Sequence, residues 1–224
     1  MNTRYALRMI DLLNTSFAQF ISVILVVFSS GIYGFRYLRH EISLPRSFWK
    51  TLPVLIMATI AVYFNAAPML SIAMLLCALG DYFLSRGQAQ FIPGLLAFLA
   101  GHIAYIALFY TLSEGAVFYW PMLLIALYSS VFGTYMWRAT GKYRWPVVVY
   151  IVVITAMVGI SLTLPSAFFL TVVGVFVFVF SDSVLAVRMF IVRDERIKLM
   201  MSWAVWISYI AGQSLILIGV AGAT

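Results

Sequence analysis

The stretch GVFVFVFSDSVLAVRMF, residues 174–190, places a carboxylate, Asp182, inside a run apolar enough to cross a membrane. A second stretch, MLLCALGDYFLSR, residues 74–86, does the same with Asp81. Runs of this length without strand alternation read as bilayer-crossing helices, which need about 20 mostly apolar residues each. The rest of the chain has the same character. Of 224 residues, 64% are hydrophobic and 9% charged, whereas soluble domains carry roughly 25% charged residues.

Eight spans are expected, at about 17–37, 48–65, 68–85, 91–112, 117–137, 145–164, 167–188 and 200–221. They use nearly the whole chain, so the expected fold is all-α, one polytopic membrane bundle over residues 1–224 with no soluble domain. Barrel strands are excluded by the absence of alternation. Pro68, Pro93, Pro121 and Pro146 fall at span beginnings, where a missing N–H costs little. Residues 1–16 interleave Leu7, Ile10 and Leu13 with Arg4, Arg8 and Asp11, the pattern either of a short interfacial helix or of a frayed terminus. No small-x-small cleavage site follows the first apolar run, so no cleavable leader is expected. The lone Cys77 forms no internal disulfide and matches no metal-binding cysteine pattern.

Charge is informative by position. Twelve of the fourteen Lys and Arg residues flank the connections after spans one, three, five and seven; only Arg4 and Arg8 fall on the other side. The positive-inside rule therefore puts the four basic connections in the cytoplasm and both termini opposite, as in a bacterial inner membrane. A basic rim suits anionic lipid headgroups. It does not form the continuous face that nucleic acid requires, so membrane lipids, not nucleic acid, are the expected neighbours.

An internal repeat is also suggested. KTLPVLIM opens span two and RWPVVVYI span six; GDYFLSR closes span three and SDSVLAVR span seven; AGHIAYI lies in span four and AGQSLIL in span eight. Four spans per half give a parallel 4+4 pseudo-repeat with halves 1–114 and 115–224. Asp81 and Asp182 would then be symmetry mates near the central axis. Chance similarity between apolar segments is the competing reading.

An intramembrane Asp costs about 2.5–3.5 kcal/mol on insertion scales, so such groups face the bundle interior and carry function. Asp81 lies about 7 Å before Arg86 and Asp182 about 9 Å before Arg188 by helical rise. Ordinary ion pairs with those arginines are the alternative to a functional pair. His102 lies about 16 Å into span four, on one face with Gly94, Phe98 and Tyr105. Ser202, Trp206, Tyr209 and Gln213 form a second polar stripe in span eight, which either lines a site or ties helices together. Lys50, at the cytoplasmic start of span two, either meets a phosphate or snorkels. One histidine and two separated aspartates make no familiar metal set, so neither metal nor other cofactor is expected.

Two neighbouring acids that share a proton can divide labour, one donating it while the other, ionised, steadies a cation or activates water. Glycoside cleavage through an oxocarbenium-like state uses that division. A lipid vinyl ether allows the same chemistry without a serine nucleophile, and no Gly-x-Ser-x-Gly elbow is present. A proton-coupled carrier or channel is the competing class, although no paired Gly/Pro helix break marks matching spans.

The chain resembles the lysoplasmalogenase family of YhhN-like membrane proteins. The resemblance rests on Lys50-x-Leu52-Pro53; Gly80-Asp81-x-x-Leu84; Phe91-x-x-Gly94 with Phe98, His102 and Tyr105; Ser181-Asp182; and Tyr209-x-x-Gly212-Gln213. These motifs cover residues 50–213, and the first span is similar in hydropathy alone. The resemblance implies eight helices and an ether hydrolase that cleaves lysoplasmalogens, lysophospholipid substrates, to a fatty aldehyde and a glycerophospho-base. It implies catalytic roles for Asp81 and Asp182 and supporting roles for Lys50, His102, Tyr105, Tyr209 and Gln213. Arg86, beside Lys50, is expected to meet the headgroup.

Overall fold

In the computed structural model, residues 3–115 and 120–223 are described, with side chains from Ala18 onward. Eight long helices follow one another: α1 (Thr3–Ile32), α2 (Leu44–Tyr63), α3 (Pro68–Ser85), α4 (Phe91–Leu112), α5 (Pro121–Ala139), α6 (Arg144–Ser161), α7 (Phe169–Phe190) and α8 (Glu195–Ala223). No strand occurs among the described residues. Among the described residues six segments are long and apolar enough to cross a membrane; α2 and α5 fall outside that set. The reason is compositional. α2 carries Arg46, Ser47, Lys50 and Thr51 in its first two turns, and α5 carries Tyr128, Ser129, Ser130 and Thr134 along its length.

The helices start where local chemistry allows. Pro68 and Pro121 are the first residues of α3 and α5, where no intrahelical N–H is needed. The Ser43 hydroxyl accepts from the Arg46 N–H at the head of α2. Asp194 Oδ1 accepts from the Arg196 and Ile197 N–H groups, each at 2.9 Å, and caps α8. The short interfacial helix expected over residues 1–16 is no separate element. From Thr3 the helix runs unbroken into the first span, and residues 1 and 2 lie outside the described residues. At its far end α1 widens into a π-helical turn over Tyr33–Tyr37, which the sequence pattern did not announce.

Neighbours in sequence pack together: α1 on α2, α2 on α3, α3 on α4, α5 on α6, α6 on α7 and α7 on α8. Three further contacts close the bundle, α4 against α6, α2 against α8 and, more lightly, α5 against α7. Glycines set the closest approaches. A Cβ on Gly101 of α4 would lie 2.9 Å from Cys77 Sγ and 3.2 Å from the Ala73 carbonyl of α3. A Cβ on Gly212 of α8 would lie 2.9 Å from the Phe178 nitrogen and 3.0 Å from the Gly174 carbonyl of α7. Small residues at such crossings let backbones meet, the usual solution where lipid supplies no hydrophobic drive between helices. Met57, Leu70, Met74, Phe109, Phe178 and Ile216 fill the centre and are fully buried. Large apolar residues cover the outside, among them Phe20, Val62, Leu123, Val152 and Phe180, as a lipid-facing surface requires.

Candidate active site

The polar groups of the interior gather where α2, α3, α4, α6, α7 and α8 converge. Asp81 comes from α3 and is buried. Gly80 before it presses on the Phe98 ring, bringing α3 against α4 at this level. Lys50 of α2 reaches inward, its Nζ 3.1 Å from Asp81 Oδ1. The second carboxylate oxygen, Oδ2, is buried without a hydrogen-bond partner among the described residues. It faces the Tyr209 hydroxyl of α8, equally unpartnered, without closing a hydrogen bond.

Asp182 sits in a different setting. It comes from α7, and its Oδ2 accepts a hydrogen bond from the Tyr150 hydroxyl of α6. His102 of α4 points its Nε2 at the same oxygen from 3.7 Å. The other ring nitrogen, Nδ1, lies 2.6 Å from the Phe98 carbonyl. A carbonyl only accepts, so Nδ1 carries the hydrogen and Nε2 presents a lone pair when the ring is neutral. Edge-on contacts with Tyr150 and Phe178, at 5.1 and 5.0 Å between centroids, hold the imidazole in place. Among the described residues no Lys or Arg stands within 4 Å of Asp182.

A third set links the stripes of α4 and α8. Tyr105 donates to Gln213 Oε1 at 2.5 Å, and the Gln213 amide nitrogen is buried without a partner. Buried polar atoms are normally satisfied. Four unsatisfied ones from Asp81, His102, Tyr209 and Gln213 in one neighbourhood are donors and acceptors free to meet a polar ligand or water.

Two cavities border this centre, touching it through Asp182, Tyr150 and Lys50; Asp81, His102, Tyr105, Tyr209 and Gln213 line neither. One, of about 350 Å³, is apolar and runs between α4, α5, α6 and α7, with Phe132, Ile151, Phe176 and Val179 in its walls and Asp182 and Tyr150 lining it. The other, of about 320 Å³, is polar and lined by Arg46, Lys50, Ser85, Arg188 and Ser202. Leu84, Phe91, Leu185 and Met189 line both, so the cavities share a wall. Both volumes fall in the ordinary range of ligand pockets.

The matching family model, described as the YhhN family, covers residues 45–220. That span contains every residue of the cluster. The chain belongs to the YhhN family. Proteins named Lysoplasmalogenase from Mycobacterium bovis and Mycobacterium tuberculosis are each 32% identical to it over 157 residues, 66% of this chain and 58% of theirs. The chain thus matches less than two thirds of the length of these curated relatives. No solved structure matches it.

This YhhN-family bundle brings together seven of the residues singled out from sequence: Lys50, Asp81, His102, Tyr105, Asp182, Tyr209 and Gln213. Arg86 is not among them. It ends α3 and lines neither cavity. The ordinary ion pairs of Asp81 with Arg86 and Asp182 with Arg188 do not form among the described residues. Arg188 instead donates from Nε to Ser202 Oγ at 2.6 Å. Sequence reasoning missed Tyr150, the direct partner of Asp182. Its signal was available, since a lone phenol among the aliphatic residues of VVVYIVVI is a polar group in lipid-depth sequence just as an Asp is.

Proposed function

We propose that the chain is a membrane hydrolase that cleaves the vinyl ether bond of lysoplasmalogens to a fatty aldehyde and a glycerophospho-base. The observation that carries this is an apolar cavity lined by Asp182 beside a polar one lined by Lys50, the ion-pair partner of the buried Asp81. A single-chain amphiphile fits that layout, with its headgroup by Lys50 and its tail between α4 and α7. The bond joining headgroup to tail then falls near Asp182, with Asp81 behind Lys50. The family membership and the names of the mycobacterial relatives point the same way.

In this reading the unlike settings assign unlike roles. Asp81, beside the Lys50 ammonium, is the standing carboxylate. Asp182, lining the apolar cavity without a cation, is the acid. Asp182 gives its proton to the alkene carbon remote from the ether oxygen, leaving an oxocarbenium ion steadied by Asp81. Water oriented by His102 Nε2 adds to the cationic carbon and loses a proton to Asp81. Asp81 then returns that proton to the ether oxygen as the C–O bond of the hemiacetal breaks. The hemiacetal hydroxyl proton passes to Asp182. The products are aldehyde and alcohol, both acids are restored, and one water is consumed. Tyr209 and Gln213 position the glycerol oxygens, and Tyr105 fixes the Gln213 amide.

The same proposal covers architecture and placement. All eight helices cross the bilayer, α2 partly buried against its neighbours and α5 on the outside of the bundle with its apolar residues facing lipid. The basic connections face the cytoplasm of a bacterial inner membrane. The chain forms one membrane domain whose halves, 1–114 and 115–224, are related as a parallel repeat. Supporting this, most packing pairs match between halves: α1–α2 with α5–α6, α2–α3 with α6–α7, α3–α4 with α7–α8, and α2–α8 with α6–α4; the light α5–α7 contact is the exception.

The test is aldehyde release from a lysoplasmalogen by purified protein in detergent. Asp81→Asn and Asp182→Asn should each lower turnover by about 10²–10⁴-fold, the usual weight of a positioned acid or base, in protein that still unfolds cooperatively. Full activity in either variant ends the two-acid mechanism. Folded protein that releases no aldehyde returns the chain to the carrier class.

A further inference from the structure

The polar cavity holds more positive charge than its protein partners neutralise. Arg46 and Lys50 are one helical turn apart on α2 and both line it. Arg188 lines it from α7. Lys50 is matched by Asp81, but among the described residues neither arginine has a carboxylate within 4 Å. The two guanidinium groups lie close enough to act on each other electrostatically. The acidic residue lining the cavity, Glu41, is exposed at the rim.

These arginines are not snorkelling toward lipid headgroups. Arg46 donates from Nη1 to the Ser85 carbonyl of α3 at 2.9 Å, and its Nε is buried without a partner. Arg188 is tied to α8 through Nε, to Ser202 Oγ at 2.6 Å and the Lys198 carbonyl at 3.2 Å. Both heads are anchored by neutral groups and aimed into one space. Glu195 acts on Arg188 only from beyond 4 Å, and holding like charges together with no carboxylate in contact is unfavourable unless an anion completes the set. Planar guanidinium forks suit phosphoryl oxygens best, two parallel N–H donors to each.

We propose that Arg46 and Arg188 form a phosphoryl-binding clamp that grips the phosphodiester of a single-chain phospholipid and so sets how deep its chain enters the shared-wall cavity. This deepens the reading of the site as one for lysophospholipids and rests on it. It replaces Arg86 with Arg46 and Arg188 as the headgroup contacts.

The experiment separates binding from hydrolysis by using a saturated 1-O-alkyl lysophospholipid, which has no vinyl ether to cleave. Its affinity for purified protein in detergent is compared with that of the same alkyl chain on bare glycerol. Wild type should favour the phospholipid by at least tenfold. Arg46→Gln and Arg188→Gln should each remove most of that preference while binding of the alkylglycerol changes less than twofold, which also reports that the variants are folded. Arg46→Lys, keeping charge but losing the fork, should recover only part of it. A preference that survives both Gln variants overturns the clamp. So does displacement of the lipid by millimolar inorganic phosphate or glycerophosphocholine, which would assign the arginines to a free anion. Neither result depends on aldehyde release, so loss of the hydrolase reading and loss of the clamp are distinguishable.

Discussion

Lys50 and Asp81 show how little of a buried site a single residue explains. Taking both charges from water is costly, and the ion pair roughly offsets the cost; removing one partner leaves the other uncompensated. Lys50→Met should therefore destabilise the protein by about 3–5 kcal/mol, seen as a lowered unfolding temperature in detergent. Lys50→Met combined with Asp81→Asn should recover most of that loss, because no bare charge then remains. A double variant as unstable as the single one would mean that Lys50 acts through packing alone. Tyr150→Phe probes the other acid. It keeps the ring against His102 but withdraws the hydroxyl from Asp182. A hydrogen bond to an ionised group is worth about 1.5–3 kcal/mol, so turnover should fall about ten- to a hundredfold with KM little changed. At this scale the acids were legible because charge in an apolar run stands out. Tyr150 was legible by the same rule, though a phenol stands out less than a charge; Arg46 was not, because a rim arginine looks topogenic until its side chain is seen turned inward.

Among the helices, the close crossings decide what can be changed. Gly212 meets backbone atoms of α7 on the side where a Cβ would stand, the Phe178 nitrogen at 2.9 Å and the Gly174 carbonyl at 3.0 Å. Backbone cannot swing aside as a flexible side-chain tip can. Gly212→Ala should therefore push α8 from α7 and cost about 1–3 kcal/mol, the usual penalty for overpacking. Gly159, helical in α6 with open space where its Cβ would be, is the internal comparison. Gly159→Ala should raise stability by about 0.4–1 kcal/mol, since alanine loses less conformational freedom on folding. Unfolding temperatures of the two variants should move in opposite directions. If they move together, the crossing is looser than its contacts indicate. Helix positions were legible because apolar runs and prolines bracket them. The π turn at Tyr33–Tyr37 was not, because nothing in YGFRY departs from helical composition. Which helices pack across the bundle was also hidden, since periodicity reports a face and not its neighbour.

The whole bundle exchanges partners between halves in a regular way. Asp81 on α3 takes Lys50 from α2, in its own half, and faces Tyr209 from α8 in the other. Asp182 on α7 takes Tyr150 from α6, in its own half, and faces His102 from α4 in the other. Tyr105 and Gln213 then join α4 to α8 between them. That crosswise pattern is what a parallel repeat places at its axis, and it requires an even number of crossings in the first half. The issue turns on α2, which is not apolar enough by composition to count as a span on its own. If all eight helices cross, the connection holding Gln88 shares a side with His40, and Asn65 lies opposite. If α2 and α5 do not cross, Asn65 shares a side with His40, Gln88 lies opposite, and the halves become inverted. The two cases give reversed labelling patterns. Cys77 is buried, so replacing it with Ser and introducing Asn65→Cys or Gln88→Cys one at a time gives a clean background. With a membrane-impermeant maleimide applied from outside intact cells, and His40→Cys as the reference, we expect Asn65→Cys to label and both His40→Cys and Gln88→Cys to label only after lysis. Asn65→Cys behaving like His40→Cys, with Gln88→Cys opposite, would discard the parallel repeat and the eight-span topology together. The contacts of Asp81 and Asp182 would stand in either case.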